Sequence, residues 1–122
     1  MELFRLSRDI YGREVLYSGP LFTHQLSHLW IDFRGIRDAF MRERGSDYFE
    51  NSRQATFVQQ EYAVRNPLGF EGYGEHCWGI TASDGPGWVK RAVNGIDREF
   101  YGYIARGAPF GPDDGTVSPW VV

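Results

Sequence analysis

The longest regular pattern of apolar residues in the chain runs from Leu21 to Phe40 and predicts an amphipathic α-helix. Its large apolar residues, spaced alternately four and three apart, are Phe22, Leu26, Leu29, Phe33, Ile36 and Phe40. This spacing places them on one face of a helix. Pro20 suits the first turn, where its missing N–H is not needed, and Arg44-Gly45-Ser46 marks the end. We therefore predict a first helix from about Leu21 to Arg42.

A second helix is predicted to begin at Asp47 and to stop at Asn66-Pro67. Asp47 and Glu50 fit a capping box, in which a cap residue is followed by a carboxylate three positions later. The residue before a proline avoids the helical region, which ends the pattern. The apolar face of this helix consists of Tyr48, Ala55, Val58 and Tyr62, with Phe49 beside them. Two such helices joined by a short turn predict an antiparallel αα-hairpin.

The remaining segments are short and rich in turn residues. Residues 11–17 are predicted to be extended, and Glu75 to Ala82 to form a short helix. Residues 87–98 carry mixed charge and are expected to cover the surface, whereas residues 99–107 alternate weakly and are predicted to be extended. Most of the 15 glycines and 6 prolines lie in the second half of the chain, where they predict turns.

Composition narrows the class of function. The chain has 122 residues, which suits one domain or part of one, and a net charge of −3. Scattered basic residues with a negative total argue against a nucleic-acid partner. The chain has no apolar run of membrane-span length, and its first residues lack the apolar run of a signal peptide. Cys77 is the single cysteine, so an intrachain disulfide is excluded and a buried, inert thiol is favoured.

Three polar side chains recur every four residues beside the apolar face of the predicted first helix: His24, His28 and Asp32. This is the spacing of a metal site on a helix. A metal centre would need a further ligand, and His76 is the only other histidine. We therefore predict no metal ion and no other cofactor. Arg34 is close enough in sequence to Asp32 to form an ion pair with it.

Five segments resemble the glucoamylase-like (glycoamylase) domain family: FTHQLSHLWIDFRGIRD, DYFENSRQAT, YGEHCWGITASDGP, FYGYIARG and FGPDDGTVSPW. This family includes bacterial endo-β-1,2-glucanases and a domain of cyclic β-1,2-glucan synthases. The resemblance implies an all-α fold, in which antiparallel αα-hairpins form part of an (α/α)6 toroid with long Gly/Pro-rich loops. It also implies a periplasmic or secreted protein. Residues 1–122 are then expected to be a partial domain, incomplete at both ends and inactive by itself.

The resemblance also implies which residues act on an oligosaccharide or β-glucan. Glycoside hydrolysis needs two carboxyl groups that flank the scissile bond. The expected catalytic acids are Glu75, which follows a glycine-rich loop, and Asp113 and Asp114, which lie in a Pro/Gly-rich turn. The expected substrate-binding residues are His24, His28, Asp32, Arg34, Trp78 and Asp84.

Each of these residues also has a structural interpretation. Glu75 suits the N-terminus of a helix, and Asp84 suits a turn. Asp113 and Asp114 suit a solvated turn or a helix cap. The aromatic content is high, at 16%, and three tryptophans can either stack on sugar rings or pack in the core: Trp30, Trp78 and Trp120.

The function indicated is that of a carbohydrate-active domain which, when complete, cleaves glycosidic bonds by acid–base catalysis. Two alternatives stay open, namely a non-catalytic glycan-binding or structural helical module, and a glucan transglycosylase. The sequence does not separate inverting hydrolysis from retaining transfer, because that outcome depends on the distance between the carboxyl groups.

Overall fold

The structure, a computed structural model, describes residues 7–25, 30, 32, 34, 42 and 47–118. In chain order its elements are β1 (Ser7–Ile10), β2 (Arg13–Leu16), α1 (Phe22–Gln25), α2 (Tyr48–Arg65), β3 (Ala82–Ser83), β4 (Val89–Val93), β5 (Ile96–Phe100) and β6 (Ile104–Ala105). The strands form three antiparallel pairs: β1 with β2, β3 with β6, and β4 with β5. Within the described ranges, no helix is both long and apolar enough to cross a membrane.

The predicted all-α toroid is wrong for this part of the chain. Apart from the helical Arg42, the described residues contain two helices, of which only α2 is long, and six short strands. The strands have two to five residues each, and periodicity carries little information over so few positions. Pairing between strands therefore decides their structure.

Two-residue turns create the β1–β2 and β4–β5 hairpins. In the first turn Tyr11 has a φ of 52° and Gly12 one of 76°. In the second turn Asn94 has a φ of 52° and Gly95 one of 77°. Positive φ at both central residues matches the turn whose twist suits paired antiparallel strands. The surface position expected for residues 87–98 is confirmed for β4, which is exposed along its length. Its hairpin was not predicted, although Asn-Gly is a strong local signal for one.

The second predicted helix is confirmed as α2, with the predicted ends. The Asp47 carboxylate accepts a hydrogen bond from the backbone N–H of Glu50 at 2.7 Å. Asn66 ends the helix in the left-handed conformation with φ 45°, directly before Pro67. The buried residues of α2 are Asn51, Ala55, Val58, Gln59, Tyr62 and Ala63. The predicted apolar face is therefore largely correct, but two amide side chains share it.

The first predicted helix is confirmed at its start and at Arg42, its predicted last residue, which is helical. α1 covers Phe22–Gln25, whereas Trp30, Asp32 and Arg34 lie outside any helix. The backbone N–H of Arg34 donates to the Asp32 carboxylate at 3.1 Å, and such a bond offers the chain an alternative to the helix. The other positions predicted for this helix, apart from Arg42, lie outside the described residues. The described ranges thus contain one long helix rather than an αα-hairpin.

The short helix predicted from Glu75 to Ala82 is wrong. Gly74 and Cys77 form an antiparallel bridge, in which each backbone N–H donates to the other carbonyl oxygen at 3.2 Å. Gly79 then has φ 115°, a conformation that no helix contains and that glycine tolerates best. The chain continues into β3 instead of winding into a helical turn.

The core lies along α2 and includes one buried amide that joins two loops. Ile10 and Val15 pack on Val58, while Tyr62 packs with Ile80 and Ala108. Gln59 is only 3% exposed. Its Nε2 donates to the carbonyl oxygens of Gly19 and Ile80, both at 3.2 Å, and its Oε1 accepts from the N–H of Ile80 at 2.9 Å. This side chain therefore positions the loops on both sides of the helix.

Replacing Gln59 with Leu should lower the free energy of unfolding by about 1–3 kcal/mol, because the buried N–H of Ile80 loses its partner and the carbonyl oxygens of Ile80 and Gly19 each lose one of their two donors. The neighbouring Gln60 is less buried, and its amide donates to the carbonyl oxygen of Glu75. Gln60→Leu should cost less than about 1 kcal/mol. Denaturant unfolding of both variants measures the difference, and equal losses would contradict the linking role of Gln59.

Candidate active site

Asp114 is a buried carboxylate that pairs with the buried guanidinium of Arg106. Nε and Nη2 of Arg106 donate to the two carboxylate oxygens, both at 2.8 Å, and both side chains are 0% exposed. The same carboxylate accepts the backbone N–H of Tyr101 at 3.0 Å and that of Thr116 at 3.2 Å. In this structure both oxygens of Asp114 are therefore hydrogen-bonded inside the protein, and a substrate cannot reach them.

The pKa of Asp114 follows from these contacts. Burial by itself would raise the pKa, but the hydrogen bonds from Arg106 and from the Tyr101 backbone outweigh it and hold the pKa at about 2. A carboxyl group with so low a pKa is ionised at neutral pH and is a poor proton donor there. This geometry favours a structural role for Asp114.

Arg106 also holds the backbone around this pair. Its Nη1 donates to the carbonyl oxygen of Ser83 at 2.6 Å, and its Nη2 donates to the carbonyl oxygens of Tyr101 and Gly102, both at 3.0 Å. Gly85 lies against the same guanidinium, since a Cβ at that position would be 2.1 Å from Nη2. One buried side chain thus joins the loop after β3 to the segment between β5 and β6.

The stability of the protein should fall as the pH drops from about 4 towards 2. Asp114 has a folded pKa of about 2, against 3.8 for the ordinary group. A lowered folded pKa contributes stability that is present above the unfolded value and is lost as the pH falls through the folded value. We expect a loss of about 2 kcal/mol over this range from Asp114.

Denaturant unfolding at a series of pH values measures this dependence. In the Asp114→Asn variant, the loss of unfolding free energy that Asp114 causes between pH 4 and 2 should disappear. Asp84 is exposed, and the Asp84→Asn variant should keep that loss. An Asp114→Asn protein that loses stability between pH 4 and 2 as steeply as the parent would contradict the assignment.

Asp113 binds two tyrosine hydroxyls. Its Oδ2 accepts from Tyr62 and its Oδ1 from Tyr73, both at 2.8 Å, and Oδ1 also accepts the N–H of Gly115 at 3.1 Å. Burial, together with the neighbouring Asp113 carboxylate, raises the pKa of both phenols, so that they stay protonated donors at neutral pH. Tyr62 belongs to α2 and Tyr73 to the loop before Glu75. Asp113 therefore fastens that loop to the helix.

Glu75 presents an exposed carboxylate on a fixed backbone. Its side chain is 73% exposed, with Nε2 of His76 at 4.0 Å from its carboxylate. Its carbonyl oxygen accepts Nε2 of Gln60 at 3.2 Å and the indole N–H of Trp78 at 3.1 Å. The bridge between Gly74 and Cys77 closes the turn around it. Among the three predicted acids, Glu75 is the one whose carboxylate is open to a ligand.

His24 lies near the opposite end of α2 from Asp113. Its carbonyl oxygen accepts the hydroxyl of Ser52 at 2.6 Å, and its Nε2 is 3.3 Å from the carbonyl oxygen of Ser18. Ser52 and Tyr62 belong to the same helix, and ten residues of a helix span about 15 Å. A groove of about 290 Å³ lies here, lined by His24, Gln25, Phe49, Ser52, Arg53, Thr56 and Phe57. The structure thus places His24 away from the predicted acids.

Asp32 and Arg34 form the predicted ion pair, with Nη2 at 2.6 Å from Oδ2 and side chains that are 61% and 71% exposed. Asp84 is exposed, and Trp78 is half-buried. Cys77 is half-buried rather than buried.

His28 and Trp120 lie outside the described residues. Among the residues that the structure describes, no group of three or more His, Cys, Asp or Glu side chains could hold a metal ion.

Arg106 and the two tyrosines that bind Asp113 were missed in the sequence. Arg106 lies within FYGYIARG, one of the segments that carry the family resemblance, and this was the one signal available. The burial of an arginine can be predicted from the sequence only when its carboxylate partner is known, because isolated charges are rarely buried.

Known proteins resemble this chain over most of its length. Residues 4–122 match the profile of the Glycoamylase family, described as "Putative glucoamylase". A solved structure of that name from Bacteroides fragilis is 34% identical, with a TM-score of 0.69, and is matched over 93% of this chain and 24% of its own. Another, from Bacteroides uniformis, is 33% identical with a TM-score of 0.62, over 82% and 21%. The chain thus spans less than a quarter of their length.

A relative from Parabacteroides distasonis is named "Exo beta-1,2-glucooligosaccharide sophorohydrolase (non-reducing end)". It is 41% identical over 66 residues, which is 54% of this chain and 8% of that protein. The chain belongs to the glycoamylase family, so the resemblance seen in the sequence is confirmed.

Proposed function

We propose that residues 1–122 form part of a larger glycoside hydrolase domain that cleaves glycosidic bonds in β-linked gluco-oligosaccharides. The observation that carries the proposal is the Glu75 carboxylate, which is 73% exposed on a turn whose backbone Gln60 and Trp78 hold. The name of the Parabacteroides distasonis relative supports a β-1,2-linked substrate.

In this proposal Glu75 is the carboxyl group that contacts the glycosidic bond. It either protonates the leaving oxygen or activates the attacking water, which are the two roles of a carboxyl group in such reactions. Asp113 and Asp114 are positioning residues. Asp113 orders Tyr73, two residues before Glu75, and Asp114 holds Arg106 in place.

The predicted contacts of His24, His28, Asp32, Arg34, Trp78 and Asp84 with glucan stay predictions. Asp84 and Trp78 are the ones that the proposal favours. Asp84 is exposed on a loop that Arg106 holds, and Trp78 contacts the backbone of Glu75. Exposed carboxylates accept hydrogen bonds from sugar hydroxyls.

Product analysis with the longer protein that contains this segment tests the proposal. Linear gluco-oligosaccharides with β-1,2, β-1,3 and β-1,4 linkages are supplied at equal length, and the products are separated by chromatography. We expect release of reducing sugar from the β-1,2-linked substrate. Longer or cyclic products without net release would indicate a transglycosylase, and binding without turnover would indicate a glycan-binding module. Either result would overturn the proposed hydrolysis.

A further inference from the structure

Trp88 presents an exposed indole beside the backbone that Arg106 holds. The residue is 69% exposed, and its ring meets that of Tyr101 edge-on, with centroids 5.7 Å apart and planes at 73°. Single exposed apolar side chains are common in proteins, so exposure alone carries no argument. The way in which this indole is fixed distinguishes it.

The indole of Trp88 lies directly on the backbone of Gly102. A Cβ at position 102 would be 2.6 Å from Nε1 of Trp88 and 3.1 Å from Cδ1, so any larger residue would displace the ring. The carbonyl oxygen of Gly102 is held by Nη2 of Arg106 at 3.0 Å. The N–H of Gly87, next to Trp88, donates to the carbonyl oxygen of Tyr101 at 3.2 Å. One side of the ring therefore rests on a fixed support while most of the residue is open to solvent.

Two exposed residues with hydrogen-bonding groups directly follow Ser83 and Gly102, whose carbonyl oxygens bind Arg106. Asp84 follows Ser83, whose carbonyl oxygen accepts Nη1 of Arg106 at 2.6 Å. Tyr103 follows Gly102 and is 67% exposed. A pyranose ring has an apolar C–H face and a rim of hydroxyl groups. A flat aromatic surface complements the C–H face, and a carboxylate or a phenol can bond the hydroxyl groups.

The support of this surface is continuous with that of Glu75. Arg106 pairs with Asp114, and the adjacent Asp113 binds the hydroxyl of Tyr73, two residues before Glu75. We propose that Trp88, resting on Gly102, is a sugar-stacking subsite for β-gluco-oligosaccharides, to which Asp84 and Tyr103 on the segments held by Arg106 add hydrogen-bonding groups. The inference rests on the proposed function for the class of its ligand and adds to it a binding position separate from the bond-cleaving carboxyl group.

Steady-state kinetics of the longer protein on β-1,2-gluco-oligosaccharides tests the subsite. Trp88→Ala should raise KM about tenfold and leave kcat within about twofold, because stacking removed from the cleaved bond acts on binding. Gly102→Ala, which keeps the tryptophan but displaces its ring, should raise KM in the same way. Trp88→Phe keeps an aromatic face and should restore most of the binding.

Ile96→Ala is the matched control, since Ile96 is an exposed apolar residue on the neighbouring hairpin, 53% exposed. It should leave KM and kcat unchanged. A Trp88→Ala protein with the parent's KM would overturn the subsite, while sugar release by the parent in the same assay would leave the proposed hydrolysis standing. A lower Tm of Trp88→Ala without a change in KM would show that the indole packs against another part of the polypeptide, which also overturns it.

If the parent releases no sugar, the proposed function fails and binding decides the subsite by itself. The parent and Trp88→Phe are then titrated with the same oligosaccharide, and tryptophan fluorescence is followed. A fluorescence change that depends on Trp88, together with weaker binding by Trp88→Ala, supports a glucan-binding position. Saturable binding that is identical in all variants, or no binding, overturns it.

Discussion

Replacing Arg106 with Met should lower the free energy of unfolding by about 3–5 kcal/mol, because the Asp114 carboxylate would remain as an unpaired buried charge. Both side chains are 0% exposed. Methionine occupies much of the space of the arginine stem but donates no hydrogen bond. The carbonyl oxygens of Ser83 and Gly102 would therefore lose this donor as well, and that of Tyr101 would keep only the N–H of Gly87.

Urea unfolding of the parent and the variant measures this loss. Arg65→Met is the control, because Arg65 pairs with Glu61 at 2.9 Å on the surface, where the side chains are 54% and 42% exposed. Such a pair contributes about 1 kcal/mol or less. The double variant Arg106→Met/Asp114→Leu should recover part of the loss, since it leaves no buried charge behind. A single Arg106 variant that is no less stable than the Arg65 variant would contradict the role assigned to the buried pair.

Glu75→Gln in the longer protein should lower kcat on β-1,2-gluco-oligosaccharides by about 10²–10⁴-fold, the usual contribution of a general acid or base. The amide keeps the shape of the side chain but neither donates an acidic proton nor accepts one. Because the carboxylate is 73% exposed, the free energy of unfolding should change by no more than about 0.5 kcal/mol. Measuring both quantities separates lost chemistry from lost structure.

Glu71→Gln is the matched control for Glu75. Glu71 is an exposed acid four residues earlier in the same loop, and its replacement should change kcat by less than about twofold. Activity of Glu75→Gln equal to that of the control would remove Glu75 from the mechanism. Loss of activity in both variants would indicate that the loop needs its negative charge rather than one particular carboxyl group.

The long helix was predictable because its determinants are local. Asp47 supplies the N-cap and Asn66-Pro67 the stop, and the residues between them keep one periodic pattern. The same rule predicted the first helix, and among the described positions it is correct for Phe22–Gln25 and Arg42 but wrong for Trp30, Asp32 and Arg34. In the middle of that predicted helix, the side chain of Asp32 accepts a hydrogen bond from the backbone N–H of Arg34. The periodicity of apolar residues does not predict such a local bond.

β2 and β6 lie within the segments predicted to be extended, residues 11–17 and 99–107, but the pairing of the strands was not predicted, for two different reasons. β3 and β6 have two residues each, and their pairing joins Ala82 to Ala105 across 23 positions, so no local pattern could reveal it. The β4–β5 hairpin does carry a local signal, the Asn94-Gly95 turn. Long-range pairing is decided by tertiary contacts, whereas a turn of this type is decided by two residues.

By itself, the sequence determined the two ends of α2 and the membership of the glycoamylase family, and it predicted three candidate acids, Glu75, Asp113 and Asp114. Only the tertiary structure decided how these acids differ. Asp113 and Asp114 are adjacent, yet one binds two phenols and the other a buried guanidinium, while the carboxylate of Glu75 stays open to solvent. The physical reason is that burial and charge pairing depend on partners such as Tyr62 and Arg106. Folding brings these partners to the carboxylates, and their spacing in the sequence does not predict the contact.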